Sequence, residues 1–103
     1  MRTIDLGSLD DWRDGEGRRV PAGDEEVLVV RVGNRLLAVG AFCSHEELPL
    51  AGGRLVGEDL WECPHHGGRI CLSTGAPAGM PVSAPVATFP VREAGGRFVL
   101  EME

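Results

Sequence analysis

The chain has 103 residues, 43% of them hydrophobic, with fifteen glycines and only five aromatics. That is the size of one compact domain with a real core, and so many glycines imply tight turns joining short elements, which favours an all-β fold. A formal net charge of −6, with ten basic residues scattered along the chain, excludes the clustered Lys and Arg that nucleic-acid phosphates require and suits a basic protein partner better.

The opening MRTIDLGSLDDWRD is polar and acidic, unlike a signal peptide, and no apolar run approaches the roughly 18 residues of a membrane span. A cytoplasmic protein with no membrane association is expected. Thr3–Leu6 reads as a first strand, and Ser8-Leu9-Asp10-Asp11 as a single helical turn with Asp11 placed as the acid of a capping box. Arg18–Pro21 is a second strand. The clearest element is a hairpin over 25–41: Val27-Leu28-Val29-Val30-Arg31-Val32 is β-branched and apolar, Gly33-Asn34 supplies the positive φ of a two-residue turn, and Arg35–Val39 returns. Short strands follow at Arg54–Val56, Leu60–Cys63 and Arg69–Leu72. A closing hairpin joins Ala87–Arg92 to Arg97–Met102 about Gly95-Gly96. No repeat or linker divides the chain, so 1–103 is read as one domain without a long amphipathic helix.

All three cysteines and all three histidines lie between residues 43 and 71, in Cys43-Ser44-His45 and Cys63-Pro64-His65-His66, with Cys71 just beyond. A lone buried Cys is usually a small hydrophobe and a lone His a hydrogen-bonded surface group, but two Cys/His pairs separated by seventeen residues fit neither account and point to metal. Three cysteines cannot all pair, so free thiolates in a reducing compartment fit better than disulfides. Gly52, Gly53, Pro64, Gly67 and Gly68 surround the pairs and suit rigid loops whose backbone N–H groups can face an anionic centre. Two metals compete: a tetrahedral zinc ion, or a diiron cluster held by two thiolates and two imidazoles. A zinc finger takes two cysteines from a hairpin and two histidines from a helix, whereas here each pair contains one of each and the next segment reads as strand. The diiron cluster is favoured and zinc stays the alternative.

The pattern C-x-H, seventeen residues, C-x-x-H, followed by Gly67-Gly68 and Ser73-Thr74-Gly75, resembles the Rieske domain over nearly the whole chain. The resemblance implies a Rieske-like antiparallel β-sandwich with a smaller cluster-binding subdomain, approximately 42–83, formed by two loops and carrying one [2Fe–2S] cluster. It makes Cys43 and Cys63 ligands of the inner iron and His45 and His66 ligands of the outer iron, with His65 at the variable position. Gly79-Met80-Pro81-Val82 resembles the proline-containing loop that covers the cluster.

Rieske proteins of respiratory and photosynthetic complexes carry a second cysteine in each loop, but Glu46 and Glu47 follow His45 here and His65 precedes His66, so no such disulfide is expected. Where those high-potential members place a serine and a tyrosine, this chain has Gly68 and Ile70, which cannot donate to sulfur. A potential low within the Rieske span of roughly −150 to +300 mV follows. The chain thus resembles the ferredoxins of ring-hydroxylating dioxygenases. That implies a non-enzymatic electron carrier, monomeric when free, between a flavin-dependent ferredoxin reductase and a terminal oxygenase. The alternative is the Rieske-like small subunit of an NADH-dependent nitrite reductase. Glu46 and Glu47 are expected near the exposed cluster edge, where they could steer a basic partner, and Cys71 is expected to be a buried small residue.

Overall fold

The computed structural model describes residues 2–42, 50–64, 68–79 and 85–102. Among them, eleven strands form three antiparallel sheets, and the only helical element is a 3-10 turn at Leu9–Asp11. The first sheet is β1 (Arg2–Ser8), β11 (Arg97–Met102) and β10 (Val91–Ala94), in that order. The second runs β2 (Gly17–Ala22), β3 (Glu25–Val32), β4 (Arg35–Gly40) and β9 (Thr88–Phe89). The third is built from three-residue strands: β5 (Arg54–Val56), β6 (Leu60–Glu62), β7 (Arg69–Cys71) and β8 (Pro77–Gly79).

The expected hairpin over 25–41 is β3–β4, closed by Gly33 at φ 62°. Its run Val27–Val30 does not alternate because both faces of this second sheet are covered, and all four residues have no exposed surface. Val27 and Val29, with Leu36 and Ala38 of β4, join Leu6, Trp12, Phe98, Leu100 and Met102 in one core. Leu28 and Val30, with Val39, join Leu50, Trp61, Cys63, Ile70 and Leu72 in another. The second sheet is therefore central: one face packs on the first sheet, and the other packs on the third.

Other expected strands stand within a residue or two of their places, and the Asp11 carboxylate accepts the Ser8 N–H at 3.0 Å as a capping box requires. The closing hairpin differs. Thr88 and Phe89 pair with β4 in the central sheet, while Val91–Ala94 pair with β11 in the first sheet. Pro90 stands between them; lacking an N–H, it ends one ladder and lets the chain change sheets. Pro77-Ala78-Gly79 lacks strand-forming side chains, yet it forms β8. It is an edge strand, where a proline costs no ladder hydrogen bond.

Candidate metal centre

Three segments that carry the sequence motifs leave the third sheet and the end of β4 from tightly held bases. The first begins after β4. The Leu50 N–H donates to the Ala41 carbonyl at 2.8 Å, so the stretch holding Cys43 and His45 starts and ends at one point. The second begins after β6, where the Cys63 N–H donates to the Gly68 carbonyl at 2.7 Å and closes the stretch holding His66. The third follows β8, and its return is fixed by Val86 N–H to Gly75 O at 2.9 Å and Gly40 N–H to Ala87 O at 2.9 Å. This last bond ties the return of the third segment to the start of the first.

The first two bases are also joined to each other. The indole of Trp61, 2% exposed, donates from Nε1 to the Leu50 carbonyl at 2.8 Å, so a side chain two residues before Cys63 grips the end of the first segment. Gly53 is required by the same approach: a Cβ there would lie 2.1 Å from the Glu62 carbonyl oxygen and 2.8 Å from the Trp61 Nε1. Gly75 meets a like demand under the third segment, with φ 77° and space for a Cβ only 2.1 Å from the Val86 carbonyl oxygen.

Of the residues expected to bind metal, Cys63 alone lies among the described residues: it follows β6 directly, is 2% exposed, is in no disulfide, and packs with Trp61, Leu50 and Ile70. Cys43, His45 and His66 lie outside the described residues, as do His65, Glu46, Glu47, Met80 and Pro81. Among the described residues no group of three metal-binding side chains gathers elsewhere. A buried thiol opening from a loop base, joined through Trp61 and Gly53 to the base of the other Cys/His segment, is a donor arrangement that fits a cluster shared between two loops. Ile70 turns into the core at 1% exposure, and Gly68 is buried, so neither position offers a hydroxyl.

Beside Cys63 a charged row crosses the third sheet. Arg54, Glu62 and Arg69 are direct cross-strand partners, and Arg69 in turn faces Gly79. Glu62 accepts from Arg54 Nε at 2.9 Å through one carboxylate oxygen and from Arg69 Nε at 3.2 Å through the other, which also lies 3.2 Å from Arg69 Nη2 in an ion pair. Arg54 and then Arg69 hold the Glu62 carboxyl below the usual carboxylate range. No sequence pattern marks this row, because its members are distant in the chain and only the strand register brings them together.

Cys71 departs from expectation. On β7 the inward positions are Ile70 and, just beyond, Leu72, so the alternation turns Cys71 outward, half-buried. Its thiol donates to Asp59 Oδ2 at 3.4 Å and lies 3.2 Å from Ser73 Oγ. Hydrogen bonds from Ser73 and then Thr74 hold the thiol pKa below its ordinary value.

The family model for the Rieske [2Fe-2S] domain matches residues 3–90. The chain belongs to the Rieske [2Fe–2S] family. One [2Fe–2S] cluster is the cofactor of such a domain. Curated Rieske relatives include the ferredoxin subunit of anthranilate 1,2-dioxygenase from Burkholderia cepacia, 36% identical over 92 residues, which cover 89% of this chain and 84% of that protein. The ferredoxin component of biphenyl 2,3-dioxygenase from Rhodococcus jostii (strain RHA1) is 33% identical over 103 residues, covering 100% of this chain and 95% of the relative. Among solved structures, the ferredoxin of carbazole 1,9a-dioxygenase from Nocardioides aromaticivorans IC177 superposes with a TM-score of 0.93 at 31% identity, covering 100% of both chains. Another, at TM-score 0.88 and 31% identity over 98% of this chain and 97% of that one, is from a complex of reduced oxygenase and oxidised ferredoxin. The Rieske fold expected from the sequence, an antiparallel all-β architecture, is thereby established.

Proposed function

We propose that this Rieske protein is the ferredoxin component of a ring-hydroxylating dioxygenase system, an electron carrier and not itself an enzyme. The observation that carries the reading is identity together with coverage. The relatives matched at 36%, 33% and 31% identity over most of their length are dioxygenase ferredoxins, and one is seen in complex with its oxygenase. In this reading a flavin-dependent ferredoxin reductase delivers one electron, and a terminal oxygenase receives it. The carrier is a cytoplasmic monomer when free, a single domain whose residues 42–83 form the cluster-binding part. The small subunit of a nitrite reductase from Mycobacterium tuberculosis shares the fold at 19% identity, which shows the fold alone and gives that alternative no support.

Cys43, His45, Cys63 and His66 hold the cluster in this reading, and the cluster supplies one-electron chemistry when bound. The chain's own part is to hold it still and dry. Trp61, Ile70, Leu50 and Leu72 pack with Cys63 and close the inner side against water, and the backbone bonds at Ala41–Leu50 and Cys63–Gly68 fix the two loop bases. Two thiolates and two neutral imidazoles leave the oxidised cluster near neutral, so reduction needs no extreme driving force. Without hydroxyl donors at Gly68 and Ile70, the potential lies low in the Rieske range.

The decisive experiment is spectroscopic and then kinetic. The purified protein should show visible iron–sulfur absorption and, once reduced, an electron paramagnetic signal of a mixed-ligand diiron centre. It should restore oxygenase turnover when added to reductase and NADH. A colourless zinc protein, or a coloured one that no flavin reductase can reduce, would overturn the assignment.

A further inference from the structure

We infer that Glu62 is a positioning residue for the cluster, a carboxylate clasp that locks both ligand-bearing segments together through Arg54 and Arg69. The inference rests on the assignment of Cys63 and His66 as ligands. Glu62 directly precedes Cys63, and the three charged side chains occupy one cross-strand row at the end of the third sheet from which the ligand segments depart. Arg54 opens β5, just after the first segment returns through Leu50 and Gly53. Arg69 opens β7, just after the second segment returns through Gly68. One carboxylate thus binds the exit of the first segment and both arms of the second.

Geometry favours a clasp over an incidental surface pair. Glu62 uses both oxygens, one for each arginine, and its side chain is 20% exposed while Arg54 and Arg69 are 73% and 41% exposed. The carboxylate is therefore the enclosed hub, and the guanidiniums reach it from solvent. Backbone bonds close each loop on itself, and Trp61 and Gly53 join the loops on the buried side; Glu62 joins them on the opposite, solvent side. β6 alternates, with Trp61 facing the core and Glu62 facing away, so the two contacts pin the same strand from both faces. Because two of the three charges are positive, the row also places net positive charge beside a thiolate ligand, which stabilises the more negative reduced cluster.

The test uses the holoprotein and measures cluster release to a chelator together with the reduction potential, at a temperature where far-ultraviolet dichroism shows an intact fold. Glu62→Gln should release its cluster about two- to fivefold faster, the range that two partly exposed ion pairs can supply, and its potential should rise. Arg54→Gln with Arg69→Gln should also release faster, but with a lowered potential. Glu62→Asp keeps the charge and shortens the reach, so release should quicken with the potential unmoved. Arg97→Gln breaks the Asp5–Arg97 pair, 2.6 Å across β1 and β11 in the other core's sheet, and should change neither quantity. Equal release from Glu62→Gln and the parent would overturn the clasp. So would equal acceleration by Arg97→Gln, or potentials that fail to move in opposite directions. A parent that binds no cluster would instead overturn the ligand assignment on which the clasp depends.

Discussion

The two faces of the central sheet are covered by very different material. On one side lie β1 and β11, seven and six residues long, in near-continuous ladders with inward Leu6, Phe98, Leu100 and Met102. On the other lie four strands of three residues each, whose ladders are too short to hold themselves. Each core has one buried tryptophan with its indole satisfied by a backbone carbonyl: Trp12 on Leu6 at 2.9 Å, and Trp61 on Leu50 at 2.8 Å. Trp12 bonds within its own sheet's approach, whereas Trp61 reaches across to the base of another loop. The base is held by regular pairing, and the side that carries Cys63 by point contacts between loops.

The sharpest way to break the comparison is at the two described cysteines. Cys63→Ser should lose essentially all iron and sulfide while the β1–β11 side keeps its far-ultraviolet spectrum, and Cys71→Ser, altering an outward thiol, should keep full cluster content. Metal analysis of both variants checks this, and parallel losses would show that the outward thiol belongs to the site.

The two tryptophans come next. Trp61→Ala and Trp12→Ala should each lower stability by about 3–5 kcal/mol through cavity formation, read from denaturant midpoints. Only Trp61→Ala should also shed cluster before global unfolding. Cluster loss coincident with unfolding in both would mean that the two sides do not differ in how they hold their loops.

A smaller effect is expected at Gly53→Ala, whose Cβ would meet the Glu62 carbonyl and force β6 away from the first loop base. The cost should be about 1–3 kcal/mol, typical of overpacking. Thermal melts of the holoprotein measure it, and an unchanged midpoint would show that the two bases can part freely.

The smallest effect belongs to the base. The Gly7 N–H and then Arg97 hold the Asp5 carboxyl below its ordinary pKa. A lowered folded pKa gives stability that is present above the unfolded value and fades as pH falls through the folded one. Asp5→Asn should therefore melt slightly below the parent near neutrality, and the gap should narrow below about pH 4, where the parent's carboxylate begins to protonate. A gap that widened in acid would reverse the sign of this pairing.

Much of this architecture can be read in the chain. The apolar run Val27–Val30 before Gly33-Asn34 announces a hairpin because β-branched residues and a positive-φ turn leave few other choices. The Cys/His spacing announces the centre because no packing rule produces it. What escapes is tertiary. Pro90 looks like one residue of a strand until its two sides are seen to join different sheets. Cys71 looks like core until the alternation of β7 fixes which neighbours face inward. Glu62 carries no motif at all, and its role depends on a register that no local pattern encodes.

Val27–Val30, enclosed from both sides, give the molecule a shared spine. Its amides are bonded in the ladders to β2 and β4 beneath a cover on each face, so the slowest hydrogen exchange belongs there. Loosening of either covering sheet would expose side chains of that one strand, Val27 and Val29 on one face and Leu28 and Val30 on the other.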